Sequence, residues 1–248
     1  MLQELRRDGY TAPFYRPSLA ADLHSALMEA PTFMGHVIPQ GDRVPRSFND
    51  AMATKHGMAC HHMASVLSVP GMFDNLAEFH TLAADYFQEE PFIYSVNAFW
   101  KKPKGAPGWH YDEDDRKQLV MFMYGTDVPT DDDGVHAYVT GSHLWDRPKL
   151  KPWHNVQEDV SGPLPADWPV HRFHGPAGTT FLTDTRGLHN GFPPVRAPRL
   201  LLWSRWGVSK PPVTYKNDEL SPVPWRMVTK QKPNPVIQNR TQLVVNWT

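Results

Sequence analysis

Apolar positions recur in two rhythms along this chain, and the change falls near residue 91. Before it, residues 18–30 (SLAADLHSALMEA) carry Leu19, Leu23 and Leu27 at i, i+4 and i+8. That spacing lines up side chains on one face of an α-helix, and Ser18, after Pro17, is placed to cap it. Residues 58–68 and 72–87 read as two more helices, separated by Pro70-Gly71. The second carries Leu76, Phe79, Leu82, Ala83 and Phe87 on one side. Pro91 ends the helical region.

Beyond Pro91 the apolar runs shorten, and Pro, Gly or Asp bounds each of them. Phe92–Trp100, Leu119–Tyr124, Val135–Thr140, His171–His174, Thr179–Thr183 and Arg199–Val208 read as strands, and GTDVPTDDDG (125–134) as a loop. Helices followed by several short strands predict an α+β protein built around an antiparallel sandwich or barrel. The expectation is a single domain over 1–248. A mainly helical layer occupies 1–90, the β core 91–208, and a Pro-rich segment over 209–248 wraps the outside.

Composition narrows the function classes. A chain of 248 residues with 40% hydrophobic and 21% charged residues can bury a sizeable core. A net charge of −1 offers no basic field for nucleic acid or anionic lipid. No apolar run approaches the roughly 20 residues that span a bilayer, and MLQELRRDGY lacks the apolar core of a signal peptide. One cysteine, Cys60, excludes an internal disulfide. The expectation is a cytoplasmic protein with a small-molecule substrate, no nucleic-acid partner and no membrane. The sequons at Asn239 and Asn246 carry no meaning there.

The chemistry starts at PGWHYDEDD. On an extended segment, side chains at i and i+2 share a face, so His110 and Asp112 can hold one cation. With 13 histidines in the chain, about one H-x-D is expected by chance, and the tripeptide gains weight only from partners downstream at a suitable distance. His189 lies in FLTDTRGLHNG, just past a predicted strand, and Arg199 opens the next strand, RLLLWSRW. Two imidazoles and one carboxylate with positions left open suit a non-heme Fe(II) oxygenase. Arginine suits a carboxylate anchor, because its planar fork binds both oxygens and keeps its charge.

The order H-x-D, then Gly141-Ser142-His143, then G-T-x-F-x-x-D-T-x-G-x-H from Gly178 to His189, then Arg199, resembles the phytanoyl-CoA dioxygenase family. Asp8-Gly9-Tyr10 near the N-terminus adds to it, and the likeness covers roughly residues 8–206. The resemblance implies a double-stranded β-helix (jelly-roll, cupin-like) core with the N-terminal helices packed on one sheet. It implies His110, Asp112 and His189 as iron ligands, Arg199 as the 2-oxoglutarate anchor and Asn97 as a second cosubstrate contact, with O2 as oxidant. In related halogenases a small residue stands in the carboxylate position, whereas here Asp112 fills it. The function implied is 2-oxoglutarate-dependent hydroxylation of a small metabolite or of a glycan or lipid precursor. The alternatives are a non-redox jelly-roll protein that binds metal or sugar, and a cupin-like isomerase.

Other candidates have plainer readings. Cys60-His61-His62 falls in a predicted helix, where neighbours diverge, so a structural role is expected. His143 shapes its turn, and His171 and His174 belong to a polar strand face. Asp131-Asp132-Asp133 lacks the spaced ligands of a calcium loop and reads as solvated loop. Trp109 is a candidate pocket wall, and most other tryptophans are core.

Overall fold

The computed structural model describes residues 1–30, 32–34, 47–53, 58–61, 63–103, 108–113, 115–150, 164–209, 213–215, 218–220 and 223–224. His62, Trp153, Trp225, Trp247 and both sequons lie outside them, as does most of the expected C-terminal wrap.

The N-terminal third is helical, as its rhythm predicts. It holds α1 (Leu2–Asp8), α2 (Pro17–Met28), α3 (Phe48–Ala53), α4 (Met63–Leu67) and α5 (Met72–Phe87), with short strands β1 (Phe14–Tyr15), β2 (Phe33–Met34) and β3 (Met58–His61) between them. In α5, Met72, Leu76, Phe79, Ala83 and Phe87 are buried, a stripe at helical spacing. Gly71 and Gln88 end that helix in the left-handed region, at φ 74° and 55°.

The expected helix over 58–68 splits into β3 and α4. β3 pairs with β2 on one side and with β4 (Phe92–Lys101) on the other, with Cys60 opposite Phe99. Non-local pairing to an open strand edge outweighs local helical spacing here. Cys60 and His61 are both buried in this strand.

The other expected strands appear within a residue or two of their predicted ends. They are β5 (Gln118–Tyr124), β6 (His136–Val139), β7 (Val170–Arg172), β8 (Thr179–Thr183) and β10 (Arg199–Gly207). Between the last two lies β9 (His189–Gly191), a strand too short to show in the sequence pattern, and α6 (Arg147–Leu150) precedes β7. β11 (Val213–Tyr215), β12 (Asp218–Leu220) and β13 (Val223–Pro224) come after β10.

Among the described residues, eight strands form one antiparallel sheet in the order β1-β8-β5-β10-β4-β3-β2, with β13 beside β4. β7-β6-β9 form a second sheet. Strand alternation gives the large sheet two buried faces. On one, Val96, Ala98, Trp100, Met121, Met123, Leu200 and Leu202 pack with the helices. On the other, Phe99, Val120, Phe122, Tyr124, Phe181 and Leu201 pack with Tyr138, Phe173, Val128 and Val135 of the small sheet and its loops. This is an α+β arrangement of helices, large sheet and small sheet, and the polar site sits in the second interface. No helix among the described residues is long and apolar enough to cross a membrane.

Candidate metal centre

His110, Asp112 and His189 converge. Each offers one donor atom, and these atoms lie within 4.8 Å of one another. The backbone does the gathering. The His110 N–H donates to the His189 carbonyl at 3.0 Å, and the His189 N–H returns a bond to the His110 carbonyl at 2.8 Å. Two residues on, the Asp112 N–H donates to the Thr185 carbonyl at 2.8 Å. The H-x-D segment is therefore extended, as its spacing requires. The two imidazole centroids are 4.2 Å apart, and His189 Nε2 lies 3.9 Å from Asp112 Oδ2.

Each imidazole follows a glycine by two residues and uses that glycine's carbonyl. His110 Nδ1 is 3.0 Å from the Gly108 oxygen, and His189 Nδ1 is 2.9 Å from the Gly187 oxygen. A carbonyl only accepts, so each Nδ1 carries the proton and each Nε2 keeps its lone pair. Gln118, at the start of β5, donates to Asp112 Oδ2 at 3.2 Å and to Thr185 Oγ1 at 2.6 Å, which fixes the carboxylate. Burial pulls the His189 pKa down to about 4, and His110 adds to this. Burial works against the Asp112 carboxylate, but His189, His110 and then Arg205 outweigh it, so its pKa lies below the ordinary value. Both groups thus stand in their metal-binding protonation states at neutral pH.

Arg199 opens β10 on the same inner face, opposite Lys101 of β4. Its side chain is 3% exposed, and neither Nε nor Nη1 meets a hydrogen-bond partner. Burial lowers its pKa, with the Tyr124 phenol acting the other way. The space beside it is kept open by Gly134, at φ 87°, where a Cβ would stand 3.2 Å from Arg199 Nη1. Arg196 is exposed and pairs with Asp132 at 3.2 Å. Arg205, farther along β10, is also buried, and its charge helps to lower the Asp112 pKa. Asn97 is 2% exposed on β4 opposite Trp203. Its amide, oriented to satisfy its surroundings, donates to the Val96 carbonyl at 3.0 Å and accepts from Trp203 Nε1 at 3.3 Å.

The remaining motif residues form scaffold behind His189. The Asp184 N–H donates to the Gly9 carbonyl, and the Gly141 N–H to the Asp8 carbonyl, both at 2.8 Å. The Ser142 hydroxyl accepts from the Leu188 N–H at 2.7 Å, and the Tyr138 hydroxyl donates to the Asp184 carbonyl at 2.7 Å. A Cβ on Gly9 or Gly187 would collide with the Tyr138 hydroxyl. Arg186 and Tyr86 hold the buried Asp184 carboxylate. Residues 184–188, which deliver His189 and hold Asp112, are thus braced from three parts of the chain.

Residues outside the centre have structural partners. Cys60 is buried, and burial pushes its thiol pKa up. Asp131 serves Arg172 and His174, Asp132 serves Arg196, and Asp133 caps its own turn through Thr130. His171 stacks on Tyr10, with centroids 4.6 Å apart. Trp109 meets Phe192 edge-on at 6.0 Å.

No family model matches this chain, and no curated protein matches it by sequence. Solved structures share its fold. The non-heme α-ketoglutarate-dependent epimerase SnoN of nogalamycin biosynthesis is 16% identical with a TM-score of 0.58, over 90% of this chain and 93% of its own. EvdO2 of Micromonospora carbonacea var. aurantiaca, complexed with 2-oxoglutarate, is 20% identical with a TM-score of 0.57, over 83% and 88%. HygX of Streptomyces hygroscopicus, with nickel and 2-oxoglutarate bound, is 13% identical with a TM-score of 0.55, over 84% and 86%.

Proposed function

We propose that this chain is an Fe(II)- and 2-oxoglutarate-dependent oxygenase on a double-stranded β-helix, a member of the phytanoyl-CoA dioxygenase family that oxidises a C–H bond of a small molecule. The observation that carries the reading is the pairing of a His-Asp-His face with Arg199, whose buried guanidinium leaves Nε and Nη1 unmet by any protein acceptor. A buried charge without a counter-charge is costly, which supports an anionic ligand there. The donor set, two neutral imidazoles and one hard carboxylate with no thiolate, fits Fe(II). The solved enzymes of like fold support the cosubstrate. HygX is known with nickel, 2-oxoglutarate and hygromycin B, and SnoN with Fe3+, α-ketoglutarate and nogalamycin RO.

When bound, iron with O2 and 2-oxoglutarate supplies the oxidising chemistry. The chain's own residues bind, orient and exclude water. His110 and His189 present Nε2 because the Gly108 and Gly187 carbonyls hold their other protons. Asp112 is held in place by Gln118. Arg199 would take the distal carboxylate of the cosubstrate, on the sheet face where Phe122 and Phe181 are buried. Asn97, buried on β4 and accepting from Trp203 Nε1, is the second contact for the cosubstrate in this reading. Trp109, next to His110 in the chain and edge-on to the partly exposed Phe192, is the proposed pocket wall. A non-redox binding protein or a cupin-like isomerase would have no use for a buried, unpaired Arg199.

The test is succinate formation from 2-oxoglutarate with Fe(II) and O2, read by mass spectrometry. The wild type should form succinate, and His110→Ala and His189→Ala should not. Near-wild-type succinate from either variant means the ligands are misassigned.

A further inference from the structure

One buried polar group at the centre is used by neither the metal face nor the sheets. His136 opens β6 and is 2% exposed, and its Nε2 meets no hydrogen-bond partner. The ring is packed among Phe122, Phe181 and Phe173, with centroids at 4.5, 5.4 and 5.8 Å. His189 stacks on it at 5.6 Å with planes 29° apart. The backbone is pinned as well, since the His136 N–H donates to the Tyr124 hydroxyl at 2.9 Å. Arg199 lies close as well, since Gly134, two residues before His136, faces it, and a Cβ there would stand 3.2 Å from Arg199 Nη1. A rigid aromatic cage without an acceptor for an imidazole nitrogen leaves a polar atom unmet, which folding disfavours unless a ligand supplies the partner.

We infer that His136 is a binding residue for the cosubstrate, its Nε2–H donating a hydrogen bond to the distal half of the 2-oxo acid held between the metal face and Arg199. The inference rests on the function proposed above. A five-carbon dicarboxylate chelated at one end and gripped by Arg199 at the other runs through the space these residues bound. His136 borders it on the β6 side, with His189 stacked on its ring and Gly134, two residues before it, beside Arg199. A donor there adds a contact to the carboxylate and gives the buried Nε2 the partner it lacks. Local sequence pattern does not single out His136, because its burial and its neighbours come from the meeting of two sheets.

Calorimetric titration of 2-oxoglutarate into the Mn(II)-loaded protein tests this, with Mn(II) affinity measured separately. His136→Phe keeps a ring in the aromatic cage and removes the donor. It should weaken 2-oxoglutarate binding at least ten-fold and leave Mn(II) binding unchanged. His136→Gln restores an N–H near the same point and should stay within about three-fold of the wild type. Binding of pyruvate, which has no distal carboxylate, should be the same in all three proteins. If His136→Phe binds 2-oxoglutarate as the wild type does, Nε2 holds a buried water only and the inference fails. It also fails if both variants lose Mn(II) and 2-oxoglutarate together, because the role is then structural. A wild type that binds Mn(II) but no 2-oxoglutarate overturns the proposed function itself.

Discussion

Two glycine carbonyls decide which nitrogen each ligand histidine shows. In Gly108-Trp109-His110 and Gly187-Leu188-His189 the same local bond holds Nδ1 and frees Nε2. Gln118 does the corresponding work for Asp112. Outer partners of this kind typically carry 10- to 100-fold in metal affinity. Gln118→Leu should therefore weaken Mn(II) binding by about that factor, and unchanged affinity in a competition titration would remove Gln118 from the account. The metal-free protein should also lose stability in acid. His189 has a folded pKa of about 4, below its unfolded value. Its stabilisation is present above the unfolded value near 6.5 and drains as pH falls toward 4, because the unfolded chain takes the proton first. The depressed pKa of Asp112 adds to the loss at lower pH. Urea midpoints that stay flat between pH 7 and 4.5 would contradict this. In the proposed reading Asp112 takes the position a halide would need, so wild-type enzyme in saline buffer should give no chlorinated product. Finding one would show that Asp112 does not occupy that position. The triad is legible in the sequence because i, i+2 spacing on an extended segment is local. Gln118 and His136 are not, because they reach the site only when β5 and β6 are brought together.

At the scale of elements, period and punctuation predict α2 and α5 and six of the strands closely. The misses share a cause. β3 has a helical pattern until β4 offers an edge, and the three residues of β9 exist as a strand only against β6. α1 is short, ends at Gly9 with φ 86°, and is fastened by the Gly141-Ser142-His143 turn. The motif glycines act at this scale by allowing close approach. Gly9→Ala meets both the left-handed backbone and the Tyr138 hydroxyl. It should cost about 2–3 kcal/mol in urea unfolding, and a loss under about 0.5 kcal/mol would show that the bracing behind His189 is slack.

For the whole molecule, the division of labour is between two buried interfaces. The helices and one face of the large sheet form an apolar core, while the polar groups collect between the two sheets. There β10 carries Arg199 and Arg205 on one face, with only Arg199 leaving guanidinium nitrogens unmet. The central claim is that the metal face and Arg199 make one ligand site. Calorimetry of 2-oxoglutarate with and without Mn(II), on the wild type and on Arg199→Lys, Arg205→Lys and Arg196→Lys, tests it most directly. The account predicts metal-dependent binding in the wild type. It predicts a loss of ten-fold or more in Arg199→Lys with Mn(II) affinity intact, and near-normal binding in Arg196→Lys. Near-normal binding in Arg199→Lys with a large loss at Arg205 or Arg196, or wild-type binding that ignores the metal, would contradict it.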